Sequence, residues 1–149
     1  MGTVIQLKEQ INNSYSDLVN SVEDKLILVE EKIASKLVSK VDLVNKMSRY
    51  HLNTGGKRLR ALLTLGSAKL SGYELGNRDI NLAACVELIH SATLLHDDVI
   101  DESSLRRGVK TTNSIWGNQS SIFCLLYTSA AEDDLLCVDL GGRSIIKKI

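Results

Sequence analysis

The stretch Asp79-Ile80-Asn81-Leu82-Ala83-Ala84-Cys85-Val86-Glu87-Leu88-Ile89-His90-Ser91-Ala92-Thr93-Leu94-Leu95-His96-Asp97-Asp98-Val99-Ile100-Asp101 decides the fold of this 149-residue chain. It reads as one helix, the longest in the sequence, with Asn77 or Asp79 as its N-cap. Its C-terminal half is largely apolar, through Ala92, Leu94, Leu95, Val99 and Ile100, and it ends in an acidic cluster. Upstream, Leu18, Val22, Leu26, Val29, Ile33 and Leu37 recur in steps of three and four and predict a helix over 16–38. Val41, Val44 and Met47 lead into Gly55-Gly56, a stop signal. Leu59, Leu62, Leu63 and Leu70 mark a further helix, ended by Ser71-Gly72. Downstream, a polar loop is expected from Glu102 to Gly108, then a short helix around Trp116. Proline is absent and aromatic residues make up 4%. The expectation is an all-α fold with one core, helical from Ser16 to about Ile122.

Asp97 and Asp101 are four residues apart and share a helix face, with Cα atoms ~6 Å apart along the axis. Two carboxylates at that spacing can bracket hard cations, with water and phosphate oxygens completing the shell, an arrangement that suits Mg²⁺. Asp98 could add a ligand or an outer contact. A solvated acidic helix end is the plain alternative. It is disfavoured by the negative end of the helix dipole and by the apolar surroundings, since buried carboxylates need cations. Gly55-Gly56-Lys57-Arg58-Leu59-Arg60 sets three cations at a helix start, where free N–H groups favour phosphate. It is not a nucleotide P-loop, because His51 stands where the first glycine belongs and Arg58 replaces Ser or Thr. An exposed basic turn remains open. Arg106-Arg107-Gly108 could grip a diphosphate bidentately, or one arginine could pair with Asp101 or Glu102. His90 lies on the Asp97 face, where a satisfied core histidine is the commoner outcome. His96 points elsewhere.

Gly55-Gly56-Lys57-Arg58-Leu59-Arg60, Glu87-Leu88-Ile89-His90, Leu94 to Asp101 and Leu105-Arg106-Arg107-Gly108, in this order between about Leu43 and Ile122, resemble the trans-polyprenyl diphosphate synthases. Asp97 to Asp101 matches that family's first aspartate-rich motif. The resemblance implies the N-terminal part of the isoprenoid synthase helical bundle and a prenyltransferase that joins isopentenyl diphosphate to an allylic diphosphate. It implies that Asp97 and Asp101, with Asp98, hold Mg²⁺ against the allylic diphosphate, which Arg106 also contacts. Lys57, Arg60, His90 and Arg107 would bind isopentenyl diphosphate, and Arg58 has no defined role. Thr93 and Ala92, four and five positions before the first aspartate, would line the tunnel for the growing chain. Both are small, which implies a long-chain product of the octaprenyl type, a quinone side-chain precursor. The full-length enzyme would be a homodimer. The family usually has proline where this chain has Ala61, a departure expected to cost rigidity and no chemistry.

After Ile122 the family pattern fails. Cys124-Leu125-Leu126-Tyr127-Thr128-Ser129 equals the translation of TGT-CTC-TTA-TAC-ACA-TCT, a transposase end sequence used in sequencing libraries. Val138 to Lys147 is similar to a translated outer adapter, with Ser144 one base from the expected arginine. The expected division is therefore 1–123, a truncated synthase domain, and 124–149, a non-native tail. On that reading Cys124, Glu132, Asp133, Asp134 and Cys137 carry no function, and the truncated chain is inactive by itself.

Two rival readings have other chemistry. An HD-type metal phosphohydrolase would use His96-Asp97 with His90 or His51 and a transition metal, but leaves the basic turn and Arg106-Arg107 unused. A non-catalytic helical subunit of a prenyl synthase would have no need of the acidic motif. Zero net charge gives no general nucleic-acid footprint. No secretory signal, membrane span or myristoylation motif is read, and three dispersed cysteines, Cys85, Cys124 and Cys137, suit a reducing cytoplasm.

Overall fold

A computed structural model describes the backbone of residues 2–53, 56–73 and 76–140 and the side chains of 13–53, 56–73 and 76–135. Gly55 of the basic turn, the side chain of Cys137, and residues 141–149 of the expected tail lie outside the described residues. The elements are α1 (Gly2–Lys36), α2 (Asp42–Asn53), α3 (Leu59–Leu70), α4 (Arg78–Ile100), β1 (Leu105–Arg106), β2 (Val109–Lys110), α5 (Thr112–Trp116) and α6 (Asn118–Leu140). Among the described residues the fold is all-α apart from this one short hairpin.

The stripe read on α1 is the one that packs. Val22, Val29, Ile33 and Leu37 are buried and Leu18 and Leu26 lie against them. They meet Ala61, Leu62 and Leu65 of α3 and Ile80, Ala83, Ala84, Cys85 and Leu88 of α4. Gly66 lets α1 approach α3: a Cβ there would sit 2.9 Å from Leu18 Cδ1. A second small cluster, Met47, Leu95 and Cys124 with Trp116 and Leu125, ties α2, α4, α5 and α6. Lys25 of α1 pairs with buried Asp79 at the start of α4. Asn77 takes the N-cap position, but its side chain makes no cap hydrogen bond.

Several expectations are corrected. The longest helix is α1, with 35 residues, not α4, with 23. On α3 only Leu62 of the expected stripe is buried; Leu59, Leu63 and Leu70 are exposed, and Ala61, Leu65 and Gly66 form the inner face instead. Periodicity could not choose between these faces, because this short helix carries leucines on both. The loop after Asp101 contains the antiparallel pair β1–β2, with Leu105 opposite Lys110 and Arg106 opposite Val109. Arg107 (φ 52°) and Gly108 (φ 79°) make its turn, the all-positive geometry that matches strand twist in two-residue hairpins. Helix α6 runs past Ile122 to Leu140. Residues 118–140 hold neither glycine nor proline, so local propensity sustains a helix there whatever the origin of the residues.

Candidate active site

The C-terminal end of α4, the hairpin and the start of α3 converge. Asp97 and Asp101 are exposed at the end of α4. Asp98, about 100° further round the helix, is 2% exposed. Its carboxylate accepts three hydrogen bonds from Arg106: Nε to Oδ1 at 3.0 Å, Nε to Oδ2 at 3.2 Å and Nη2 to Oδ1 at 2.8 Å. The Arg106 partner is thus neither Asp101 nor Glu102, the partners that the alternative salt-bridge reading of this loop would give it. The buried carboxylate that needs a cation is Asp98, and Arg106 is that cation. The hydrogen bond to Asp98 raises the Arg106 pKa further above its ordinary value.

The last turn of α4 is closed by neighbours. Ser103 N–H donates to the Asp98 carbonyl at 3.0 Å, and Asn113 Nδ2 donates to the same oxygen at 3.0 Å and to the Ser103 carbonyl at 3.1 Å. These bonds satisfy a carbonyl that a helix end leaves orphaned. Tyr50 Oη donates to the Lys110 carbonyl at 2.7 Å and its ring packs edge-on to Trp116, which holds the hairpin against α2 and α5.

Beside this end lies a pocket lined by His51, Gly56, Arg58, Glu87, His90, Arg106 and Arg107, among others. Arg107 rests against Gly56: a Cβ there would lie 3.5 Å from Arg107 Nη1, so the basic turn and the hairpin meet. The His90 pKa falls through burial first, then through the nearby charges of Arg60, Arg107 and Arg106, against an opposing pull from Glu87. Of the residues read as diphosphate contacts, His90, Arg106 and Arg107 line the pocket; Arg60 does not, but its charge acts on His90. Lys57 stands apart, with its ammonium 5.8 Å from the Tyr15 ring. Ala92 is buried, and Thr93 is exposed with its hydroxyl bonded to the His90 carbonyl at 2.8 Å.

Arg58, left without a role by the sequence, is a structural tie. It adopts φ 45° at the N-cap of α3 and donates to Glu30 of α1 at 2.6 Å. Its Nη1 lies 3.6 Å from Glu87 of α4. Glu87, 4% exposed, also accepts the Ala61 N–H at 3.1 Å and so caps α3 from a neighbouring helix. Proline could not donate that bond. Ala61 therefore exchanges the preset φ of proline for a tie to α4. The sequence reading placed Glu87 in a motif but gave it no role, although an acid inside an apolar helical run was a signal. His51 was read only as a possible ligand of the rival phosphohydrolase site, and no pattern around it points to this pocket. Burial lowers its pKa to about 4, against the raising effect of Asp98 and a bond to the Ser91 backbone.

The donor chemistry of Asp97 and Asp101 fits a divalent cation: hard oxygens, one face, and positions left for water and phosphate. Among the described residues no group of three or more His, Cys, Asp and Glu could by itself hold a metal ion. A histidine-centred site of the phosphohydrolase type is thus not assembled among them: His96 is exposed, 3.6 Å from Asp97, whereas His51 and His90 line the pocket.

Residues 41–135 match the family model described as Polyprenyl synthetase. The chain is 40% identical over 121 residues to octaprenyl diphosphate synthase of Escherichia coli, covering 80% of this chain and 36% of that protein. Its fold is similar to the crystal structure of a decaprenyl diphosphate synthase from Rhodobacter capsulatus, with a TM-score of 0.79 at 38% identity over 85% of this chain and 38% of the other. It is also similar to a polyprenyl synthase from Caulobacter crescentus, complexed with calcium and isoprenyl diphosphate, with a TM-score of 0.77 at 37% identity over 81% of this chain and 37% of the other. The chain thus spans little more than a third of the length of these relatives. With four motifs in order, a match over most of the chain and the helical architecture shared with these structures, this chain belongs to the polyprenyl synthetase family.

Proposed function

We propose that this chain is the N-terminal part of a prenyltransferase that condenses isopentenyl diphosphate with an allylic diphosphate to give a long-chain polyprenyl diphosphate. The observation that carries this reading is that Arg106, on which the exposed Asp97 and Asp101 act through their charge, lines one pocket together with Arg58, His90 and Arg107. Family membership supports the reaction class, and it gives the phosphohydrolase reading no support. Asp97 and Asp101 would hold Mg²⁺, which when bound neutralises charge on the departing diphosphate. Arg106 offers its guanidinium to the allylic diphosphate, so charge is stabilised by a group already in place. Arg107, Arg60 and His90 hold the diphosphate of isopentenyl diphosphate, and the resemblance adds Lys57, whose ammonium here lies by the Tyr15 ring. The allylic C–O bond breaks with its electron pair leaving on diphosphate, the double bond of isopentenyl diphosphate attacks the allylic cation to form the new C–C bond, and the resulting cation passes a proton to the released diphosphate to restore a double bond. Apolar walls keep water from quenching the cation.

The test is a chimaera in which residues 1–123 of this chain replace the matching segment of the Escherichia coli octaprenyl diphosphate synthase. It is expected to convert the two substrates into a long-chain product with Mg²⁺. A folded chimaera that binds neither diphosphate would sink the reading. We further propose that the full-length enzyme is a cytoplasmic homodimer. Among the described residues no helix is long and apolar enough to cross a membrane. Residues 124–149 are read as adapter-derived on the strength of the six-residue identity at Cys124–Ser129, although the family match reaches residue 135. Sequencing the genomic reading frame past Ile122 tests that boundary.

Thr93→Phe and Ala92→Phe are both expected to shorten the product, because a ring one turn above Asp97 fills the path of the growing chain. Thr93 is the cleaner test: it is exposed, whereas a ring at buried Ala92 also strains packing. Chromatography of the products decides. Unchanged chain length in Thr93→Phe, or a parent product of only three or four isoprene units, rules the assignment out.

His51 gives the site a pH signature. It stays neutral in the folded protein down to about pH 4, whereas unfolded it takes a proton near its ordinary 6.5. The stability this confers is fully present above pH 6.5 and is lost as pH falls through that window to about 4. The difference is about 3 kcal/mol, at about 1.4 kcal/mol per pH unit. His51→Gln should flatten the fall of the chimaera's melting temperature between pH 6.5 and 4. Parallel pH curves for parent and variant would contradict it.

A further inference from the structure

We propose that Asp98, the second carboxylate of the acidic motif, is a positioning residue for Arg106 and not a metal ligand. The three aspartates are not equivalent. Asp97 and Asp101 lie about 40° apart around the helix and are exposed, whereas Asp98 is turned about 100° away from Asp97 and is buried. Both Asp98 oxygens already accept hydrogen bonds from Arg106. A cation recruited to Asp98 would have to displace a guanidinium, leaving that arginine without its counter-charge in a partly buried position.

The bond pattern does more than neutralise charge. It uses Nε and Nη2 of one guanidinium edge, which fixes the plane of the group and turns Nη1 away from Asp98. Nη1 makes no bond to any described residue, and Arg106 lines the pocket. The anchor is itself held: the Asp98 carbonyl accepts from Ser103 N–H and from Asn113 Nδ2. The other end of Arg106 is set by the hairpin ladder, where it lies opposite Val109. Side chain and backbone thus fix the arginine from both ends, and an arriving diphosphate meets a donor whose ordering cost has already been met in folding.

This inference rests on the proposed prenyl transfer for what Arg106 grips, and the experiment separates the two. In the chimaera, electron paramagnetic resonance counts free Mn²⁺ in the presence of inorganic diphosphate, with no turnover required. Asp98→Asn is expected to keep the parent Mn²⁺ affinity within about twofold, while Asp97→Asn weakens it about tenfold or more. Where the chimaera turns over, Asp98→Asn is expected to lower kcat/KM for the allylic diphosphate about 10- to 100-fold. Adding Arg106→Lys should cost little more, since both changes remove one anchored donor. Equal loss of Mn²⁺ affinity in Asp98→Asn and Asp97→Asn, or additive effects of Asp98→Asn and Arg106→Lys, overturns the assignment. Parent-like melting temperature in Asp98→Asn, checked by circular dichroism, ties the loss to the arginine and not to unfolding; should that variant unfold, Asn113→Ala, which removes the bonds to the Asp98 and Ser103 carbonyls and leaves every side-chain carboxylate in place, is expected to lower kcat/KM without changing Mn²⁺ affinity, and a change in that affinity counts against the proposal. A chimaera that shows this Mn²⁺ pattern yet transfers no prenyl group refutes the function and leaves the anchoring intact.

Discussion

Asp97→Ala in the chimaera is expected to lower turnover roughly 10³-fold or more while leaving the fold intact. The size follows from what the carboxylate does. Diphosphate is a poor leaving group until its developing charge is met by cations, and Asp97 is one of the two exposed carboxylates proposed to hold them. Arginines alone cannot replace this, because Arg106 has part of its charge committed to Asp98. The fold should survive because the Asp97 side chain makes no close contact to a charged group among the described residues except His96, at 3.6 Å, feels Arg106 only through its charge, and sits exposed at the negative end of a helix, where removing a negative charge is not destabilising. Steady-state rates with both substrates, alongside the helical circular dichroism of the variant, make the comparison. Turnover within a few-fold of the parent would remove Asp97 from the metal site.

The 149-residue chain alone is expected to give no detectable product and to associate in solution. Half of the reason is chemical: one acidic face with no opposite set of ligands among the described residues leaves any cation half-held. The other half is physical. Leu59, Leu63 and Leu70 of α3, Leu82, Ile89 and Ile100 of α4, and Phe123 and Leu126 of α6 are all exposed, which amounts to unpartnered helix faces and not isolated surface residues. At about 25 cal/mol per Å² of apolar surface, covering such faces is a strong drive to self-association. Light scattering on a sizing column and a product assay test both halves. Monomeric chain that condenses the substrates would overturn the expectation; joining the missing length, as in the chimaera, should restore both activity and a defined size.

The two experiments bear on different levels. The first concerns a charge at one atom, the second the surface that the rest of the bundle covers. The positioning role proposed for Asp98 lies between them, since a buried carboxylate shapes the site without touching the reacting groups.

What the sequence determined by itself is what depends on local order. Steps of three and four on α1 fix its inner face, because a helix repeats every 3.6 residues and Leu18 through Leu37 keep that period over five turns. Four motifs in order carried the family, and the four-residue spacing of Asp97 and Asp101 set their common face. The sequence could not choose the inner face of α3, where leucines lie on both sides and only packing against α1 and α4 selects Ala61, Leu62 and Leu65. Nor could it foresee the hairpin, since Arg107 takes a positive φ unusual for a residue with a Cβ, and the second strand is held through the Lys110 carbonyl by Tyr50, 60 residues away in sequence. The same limit applies within the site. That Arg106 pairs with Asp98, and that Glu87 caps α3 through Ala61, are facts of tertiary distance between elements. Burial decides them: a carboxylate removed from water takes the nearest donor the fold brings to it, and residue spacing along the chain does not encode which donor that is.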